Sequence, residues 1–218
     1  MAIDVETNAL VPTKSSPSWW RTGRFGFLTT LDDEDLAQMR VVQIGWTIGK
    51  RGGDAPKTET RLIKPCGFVV EHSATAKHRI THEHADEHGV CLLDALRDLL
   101  ADAAKLHADG GCLCSHHLGF DAGLTDNEML HLELHDMAAS WAQIVRDGMC
   151  TMDPDVGHWV RKMIGIGDKP RNIPMRLMDL VKTLLPDRSD LLANHHDAGT
   201  DSYMHWLVAS ELLARARS

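Results

Sequence analysis

Three early stretches either alternate apolar and polar positions or are rich in Val, Ile and Thr, and they predict β-strands at residues 1–5, 40–49 and 58–64. Gly52, Gly53 and Pro56 lie between the second and third, which suits a hairpin-type turn and makes the three strands a meander. From 90 to 107 the period changes. Leu92, Leu93, Leu96, Leu99, Leu100 and Ala103 fall on one face of a helix whose outer face carries Asp94, Arg97, Asp98 and Asp102. Gly110 and Gly111 end that helix, residues 112–116 are apolar enough for a buried fourth strand, and a further helix is expected to start near Phe120. A fifth strand is predicted at 149–152, then helices at 154–164, 174–185 and 198–215. This alternation predicts one α/β domain over 1–218, built on a mixed five-stranded sheet with helices on both faces. Residues 11–39 are too long and too rich in Pro, Ser and Gly for an ordinary connection, so they are expected to form a loop insertion that acts as a lid or faces substrate.

Composition adds bounds. The 218 residues fit one domain, and 43% hydrophobic with 25% charged residues is the make-up of a globule, which excludes collagen-like, disordered and disulfide-scaffold classes. Five scattered cysteines give no disulfide framework and favour a reducing, intracellular setting. No run approaches the roughly 18 apolar residues of a membrane span, so no membrane partner is expected. A net charge of −8 excludes a wholly basic nucleic-acid coat but leaves room for a local basic groove beside metal-binding acids. Nothing in the pattern names a protein partner.

Asp4 and Glu6 stand two apart on the first predicted strand, so their carboxylates leave one face about 7 Å apart along the chain. Two carboxylates on an inner face repel unless a cation neutralises them. On its own the pair fits a surface or supporting role as well as a metal site. Further along come Ser115-His116-His117-Leu118-Gly119-Phe120-Asp121 and His196-Asp197-Ala198-Gly199-Thr200-Asp201. Read after Ile3-Asp4-Val5-Glu6-Thr7, in this order, the motifs resemble the DEDD-type 3′-to-5′ exonucleases of the histidine subclass, the DnaQ-like family with an RNase H-like fold. The resemblance runs from Met1 to about Ala214. Residues 41–48 resemble that family's second strand, and His78-Arg79-Ile80-Thr81 resembles its loop that usually reads His-Gly-Ile-Thr. Two positions depart from the pattern: Ala9 stands where many members have Gly, and His117 where Asn is common.

The resemblance implies hydrolysis of phosphodiester bonds at the 3′ end of single-stranded or frayed DNA or RNA, with release of nucleoside 5′-monophosphates. It implies two Mg²⁺ ions, replaceable by Mn²⁺, held by Asp4, Glu6, Asp121 and Asp201, with His196 as the base that activates water. Chemistry asks for the same residue types. Two divalent ions about 3.5–4 Å apart stabilise the attacking and leaving oxygens, hard ions take oxygen ligands, and an imidazole with a pKa near about 6.5 can accept the water's proton. The resemblance also places the backbone around Thr7, Asn8, Ala9 and Leu10, together with Phe120, against the terminal nucleotide, with Leu10 either an apolar wedge or a core-packing residue. Five residues along an ideal helix turn through about 500°, leaving His196 and Asp201 about 140° apart. His196 is therefore expected on the approach loop and Asp201 in the first turns of the helix, with Ala198 and Gly199 small enough for close approach to the sheet.

Outside these motifs, Arg161, Lys162, Lys169, Arg171 and Arg176 face a single acid, Asp168, and form either a solvated basic face or a phosphate track, with Arg171 and Arg176 the chosen contacts. Trp19 and Trp20 with Arg21 and Arg24 fit either loop packing or single-strand stacking. His78, His82, His84 and His88 include i, i+4 pairs able to hold zinc but read better as surface or packing residues, and Cys112 and Cys114 lack a second pair. Two rival functions remain: a phosphatase using Asp4 as nucleophile, and a noncatalytic nucleic-acid-binding module.

Overall fold

A computed structural model of the chain describes residues 1–11, 21–22, 25–29, 33–50, 52–165 and 174–216. Strand β1 (Ala2–Thr7) is the middle of a five-stranded sheet. Its alternation sorts the side chains: Ile3 and Val5 enter the main core, while Ala2, and with it Asp4 and Glu6, face the other way. Within the 11–39 segment, β2 (Arg21–Thr22) pairs antiparallel with β3 (Leu28–Thr29), and a short helix α1 (Asp33–Gln38) follows. Phe25, Phe27 and Leu36 pack against the main core, and Asn127 Nδ2 donates to the Leu36 carbonyl at 2.9 Å.

The predicted meander is present. β4 (Val41–Ile48) runs antiparallel to β1, and β5 (Lys57–Leu62) antiparallel to β4. β5 is the sheet edge and carries Lys57, Glu59 and Arg61, charges that discourage pairing with another chain. Helices α2 (His72–His78), α3 (His82–His88) and α4 (Leu92–Ala108) come next. β6 (Cys114–Ser115) then adds parallel to β1, helices α5 (Leu118–His131) and α6 (His135–Val145) follow, and β7 (Met149–Cys150) adds parallel to β6. The sheet order is β5-β4-β1-β6-β7. Helices α7 (Pro154–Met163) and α8 (Leu177–Leu184), a 3-10 segment (Pro186–Asn194) and α9 (Ala198–Arg215) complete the described chain.

Helices cover both faces. On one, α4, α5 and α6 bring Leu96, Leu99, Leu118, Leu124 and Trp141 onto Ile3, Val5, Ile44 and Trp46, all buried. On the other, α9 lies across β1 and β4, and its approach is set by the β4 residues that point away from the main core. Gln43 Oε1 accepts the Ala198 N–H at 2.8 Å, Thr47 Oγ1 bonds Ser202 Oγ at 3.1 Å, and between them Gly45 leaves room for the helix backbone. A Cβ on Gly45 would stand 2.1 Å from the Ala198 carbonyl carbon, and one on Gly199 would stand 2.2 Å from Thr60 Oγ1. A second apolar cluster ties α7 and α8 to α9 through Val160, Leu180, Leu184, Met204 and Val208.

Some elements differ from the sequence pattern. The fourth and fifth strands are two residues each; at the end of the fourth, Ser115 donates its hydroxyl to Asp121 and accepts the His117 N–H as the chain turns into α5. The helix expected at 174–185 starts at Leu177, since Arg176 is extended at its N-cap. The pattern did not single out α1, α2, α3 or α6. In α6, Trp141 and Ile144 are core.

Candidate active site

Three elements converge at one end of β1. Alternation places Asp4 and Glu6 on the face covered by α9, Asp4 with only 14% of its side chain exposed. Asp121 sits in the first turn of α5 and is buried; its Oδ1 accepts the Val5 N–H at 3.2 Å and its Oδ2 accepts the Ser115 hydroxyl. Asp201 sits in the first turn of α9, a helix capped by Asp197, which accepts the Thr200 N–H at 2.9 Å. Gln43, directly across the strand pair from Glu6, donates its Nε2 to Asp197 Oδ2 at 3.1 Å, so β4 itself fixes the start of α9.

His196 precedes that helix with φ +66, a left-handed conformation that costs a non-glycine residue about 1–2 kcal/mol. The turn aims its N–H at Asp201 Oδ2, 3.1 Å away. Ligand atoms of Glu6, His196 and Asp201 all lie within 4.8 Å of one another. Asp201 Oδ1 is buried and has no hydrogen-bond partner.

The electrostatics follow from this crowding. Burial first, then the neighbouring carboxylates Asp121, Asp201 and Glu6, hold the Asp4 carboxyl well above the usual range. Glu6 is raised by burial and then by Asp201 and Asp121, and Asp201 by burial despite the His196 N–H. Asp121 is also raised by burial, against the opposing bonds from Ser115 and Val5. The His196 imidazole is held below its usual value by burial and then by His195, Lys77, His78 and Arg79, which keeps it neutral and able to accept a proton. Four oxygen-donor carboxylates that resist charging together, one of them with an orphaned oxygen, fit a hard divalent cation.

Other positions singled out in the sequence lie around this cluster. The Thr7 hydroxyl donates to the Ala9 carbonyl at 2.8 Å, and the Thr7 carbonyl accepts from His78 Nε2 at 3.0 Å. The Asn8 side chain is engaged within the protein, accepting the Arg40 N–H at 2.7 Å and donating to the Val69 carbonyl at 3.4 Å. Ala9 is partly exposed, and Leu10 projects with 45% of its surface exposed. The Phe120 ring stacks on His117, centroids 5.6 Å apart. Arg176 is exposed and lines a pocket of about 540 Å³ together with His116, Met152, His195, His196 and Asp201. Arg161 is buried on the inward face of α7 beside Val160, so it leaves the proposed phosphate track. Trp19, Trp20, Arg24, Asp168, Lys169 and Arg171 lie outside the described residues.

Two histidines not singled out in the sequence lie beside the cluster. His205 is buried, donates Nδ1–H to the Ile3 carbonyl at 2.9 Å, and so presents the bare Nε2 3.7 Å from Asp4 Oδ1. Burial pushes its pKa down to about 4. His116 shares a bond with Thr151 Oγ1 at 3.1 Å and is pushed down to about 3 by burial and by His205. His205 follows Asp201 by one helical turn, a spacing that carries a signal for it. His116 carries none beyond lying in the middle motif.

No protein-family model matches the sequence, and no curated protein matches it. Solved structures do match. The chain shares the fold of Escherichia coli exonuclease I. It aligns with the zinc-bound form of the exonuclease I–single-stranded DNA complex at 18% identity and a TM-score of 0.58, covering 100% of this chain and 40% of that one. With exonuclease I bound to a dA16 oligonucleotide the TM-score is 0.60 at 18% identity, covering 99% and 41%. At this identity the likeness is one of fold, and the chain spans about 40% of the length of the exonuclease I chains it matches.

Proposed function

We propose that this chain is a metal-dependent 3′-to-5′ exonuclease acting on single-stranded or frayed nucleic-acid ends and releasing nucleoside 5′-monophosphates. The observation that carries this reading is the cluster of Glu6, His196 and Asp201, whose ligand atoms lie within 4.8 Å of one another, with Asp4 and Asp121 close enough to crowd its charge and Asp201 Oδ1 left unpaired. The shared fold of exonucleases solved with single-stranded DNA supports it.

Asp4, Glu6, Asp121 and Asp201 would hold two Mg²⁺ ions, with Mn²⁺ able to replace them. Bound divalent ions supply charge stabilisation to both oxygens of the displacement. The rest falls to the chain. His196 accepts the proton of the attacking water at its imidazole, and its N–H to Asp201 keeps ring and carboxylate in fixed relation. Leu10 presents an apolar edge to the terminal base, the His117–Phe120 stack lies at the start of the helix that carries Asp121, and Arg176 stands at the pocket for a phosphate. A phosphoaspartate on Asp4 is disfavoured, since burial and the four carboxylates of Asp121, Asp201, Glu6 and Asp197 hold its carboxyl protonated and leave it a poor nucleophile.

The test is digestion of end-labelled DNA and RNA, single strands and duplexes, with Mg²⁺ or with EDTA. Stepwise release of 5′-mononucleotides from the 3′ end, abolished by EDTA and lowered more than about 10²-fold in Asp201→Asn, is the expected result. Binding without cleavage in Mg²⁺ and Mn²⁺ would replace this reading with a noncatalytic nucleic-acid-binding module.

A further inference from the structure

The C-terminal turn of α2 stands beside the end of β1 and is fastened there. His78 donates Nε2–H to the Thr7 carbonyl at 3.0 Å and accepts the Ile80 N–H at Nδ1, also at 3.0 Å. Thr75 Oγ1 donates to the Ile80 carbonyl at 2.8 Å, and the Arg79 N–H bonds the Thr75 carbonyl at 2.7 Å. Between these fastenings Arg79 is held at φ 65, ψ 7, where glycine is the favoured residue. The protein thus places a long cationic side chain on a rigid, unfavourable backbone position next to the acidic cluster.

Arg79 and Lys77 are both exposed, and among the described residues neither makes a hydrogen bond through its side chain or an ion pair. Both flank His78, whose Nε2–H holds the carbonyl of Thr7, the residue after Glu6 on β1. They stand beside the end of the strand that carries Glu6 and, among the described residues, pair with none of its carboxylates, which leaves them for an anion brought from outside. Arginine suits a phosphate through its planar fork and lysine as a point charge.

We propose that Lys77 and Arg79 form a phosphate-holding pair at the rim of the site, gripping the backbone of the nucleic-acid strand as it enters. This rests on the nuclease reading above. The pair recognises phosphate and sugar-phosphate backbone, so it carries no base preference.

The test uses the whole chain and binding of 5′-labelled dT and dA oligonucleotides in Ca²⁺, titrated with salt. Lys77→Gln and Arg79→Gly remove one charge each, and glycine relieves the backbone at 79, so Arg79→Gly should melt no lower than the parent. The double variant should bind both oligonucleotides about 20-fold more weakly near about 0.1 M salt, with the slope of log K against log[salt] reduced in magnitude by about 1.4. Arg97→Gln with Lys105→Gln on α4, remote in sequence and already paired to Asp94 and Asp109, should leave the slope unchanged. If the parent binds and the double variant keeps its affinity and slope, the pair is a solvated surface feature and the inference falls alone. If the parent binds neither oligonucleotide, the nuclease reading falls and takes the inference with it.

Discussion

His196 shows how much a single residue carries here. Its left-handed backbone aims the N–H at Asp201 and brings a ring nitrogen within 4.8 Å of a Glu6 oxygen, while its neighbour His195, with ring centroids 4.5 Å away, lines the same pocket. Of these two histidines it is His196 whose backbone N–H bonds a carboxylate of the cluster. His196→Ala should therefore lower turnover by about 10²- to 10⁴-fold, the range for loss of a general base, and His195→Ala by much less. Both rates are to be measured at one pH under Mg²⁺ on folded protein, and a larger loss at His195 would reverse the assignment. His205 is a positioning group by the same logic: its hydrogen is committed to Ile3, so the nitrogen facing Asp4 is an acceptor.

At the scale of elements, the site depends on how closely α9 lies on the sheet. Asp201 and the turn bearing His196 are delivered by the first residues of that helix, and Gly45 on β4 sets its distance. Gly45→Ala drives a methyl into the Ala198 backbone at 2.1 Å, where no flexible side chain can yield. Overpacking of this kind costs about 1–3 kcal/mol, and here it also lifts Asp201 away from Glu6. Gly123→Ala is the matched control. It sits in α5, the added carbon would meet Leu36 no closer than 3.7 Å, and Ala is favoured over Gly in a helix by up to about 1 kcal/mol. Denaturant unfolding of both variants should show Gly45→Ala clearly destabilised and Gly123→Ala unchanged or more stable. Equal behaviour would mean that α9 can shift without consequence.

For the whole molecule, buried titratable groups of opposite sign make stability depend on both pH and metal. In the metal-free protein Glu6 is raised to about 8, and Asp121 and Asp201 to about 7, against unfolded values near about 4. The native state then holds more protons than the unfolded one, and stability falls as pH rises from about 4 to about 8. His116 and His205, pushed down to about 3 and about 4, work the other way: their contribution is complete above about pH 6.5 and is lost as pH falls towards those values. A bound divalent ion must displace the carboxylate protons, so its stabilisation grows as those protons leave. Thermal melts in EDTA and in Mg²⁺ should show a small metal-induced gain in Tm at about pH 5 and a larger one at about pH 8. A gain that does not change with pH would show that the carboxylates are not the ligands.

Much of this architecture is written locally in the chain. Hydrophobic period alone located α4 and gave the span of α9 as 198–215, and strand alternation put Asp4 and Glu6 on one face, because these patterns depend only on neighbours within a turn or two. The order of the three acidic motifs, with the small Ala198 and Gly199 behind the last, likewise stands in the sequence. Tertiary structure decided what depends on residues far apart. β6 and β7 are two residues long and exist because β1 offers a parallel edge. The polar helices α2 and α3 have no long apolar stripe, and α2 is anchored by His78 reaching the Thr7 carbonyl. Gln43, Gly45 and His205 act on partners far along the chain, as in the bonds from the Ala198 N–H to Gln43 and from His205 to the Ile3 carbonyl, with separations of 155 and 202. A local pattern can specify which face of an element is buried; what that face meets is set only when the chain folds back on itself.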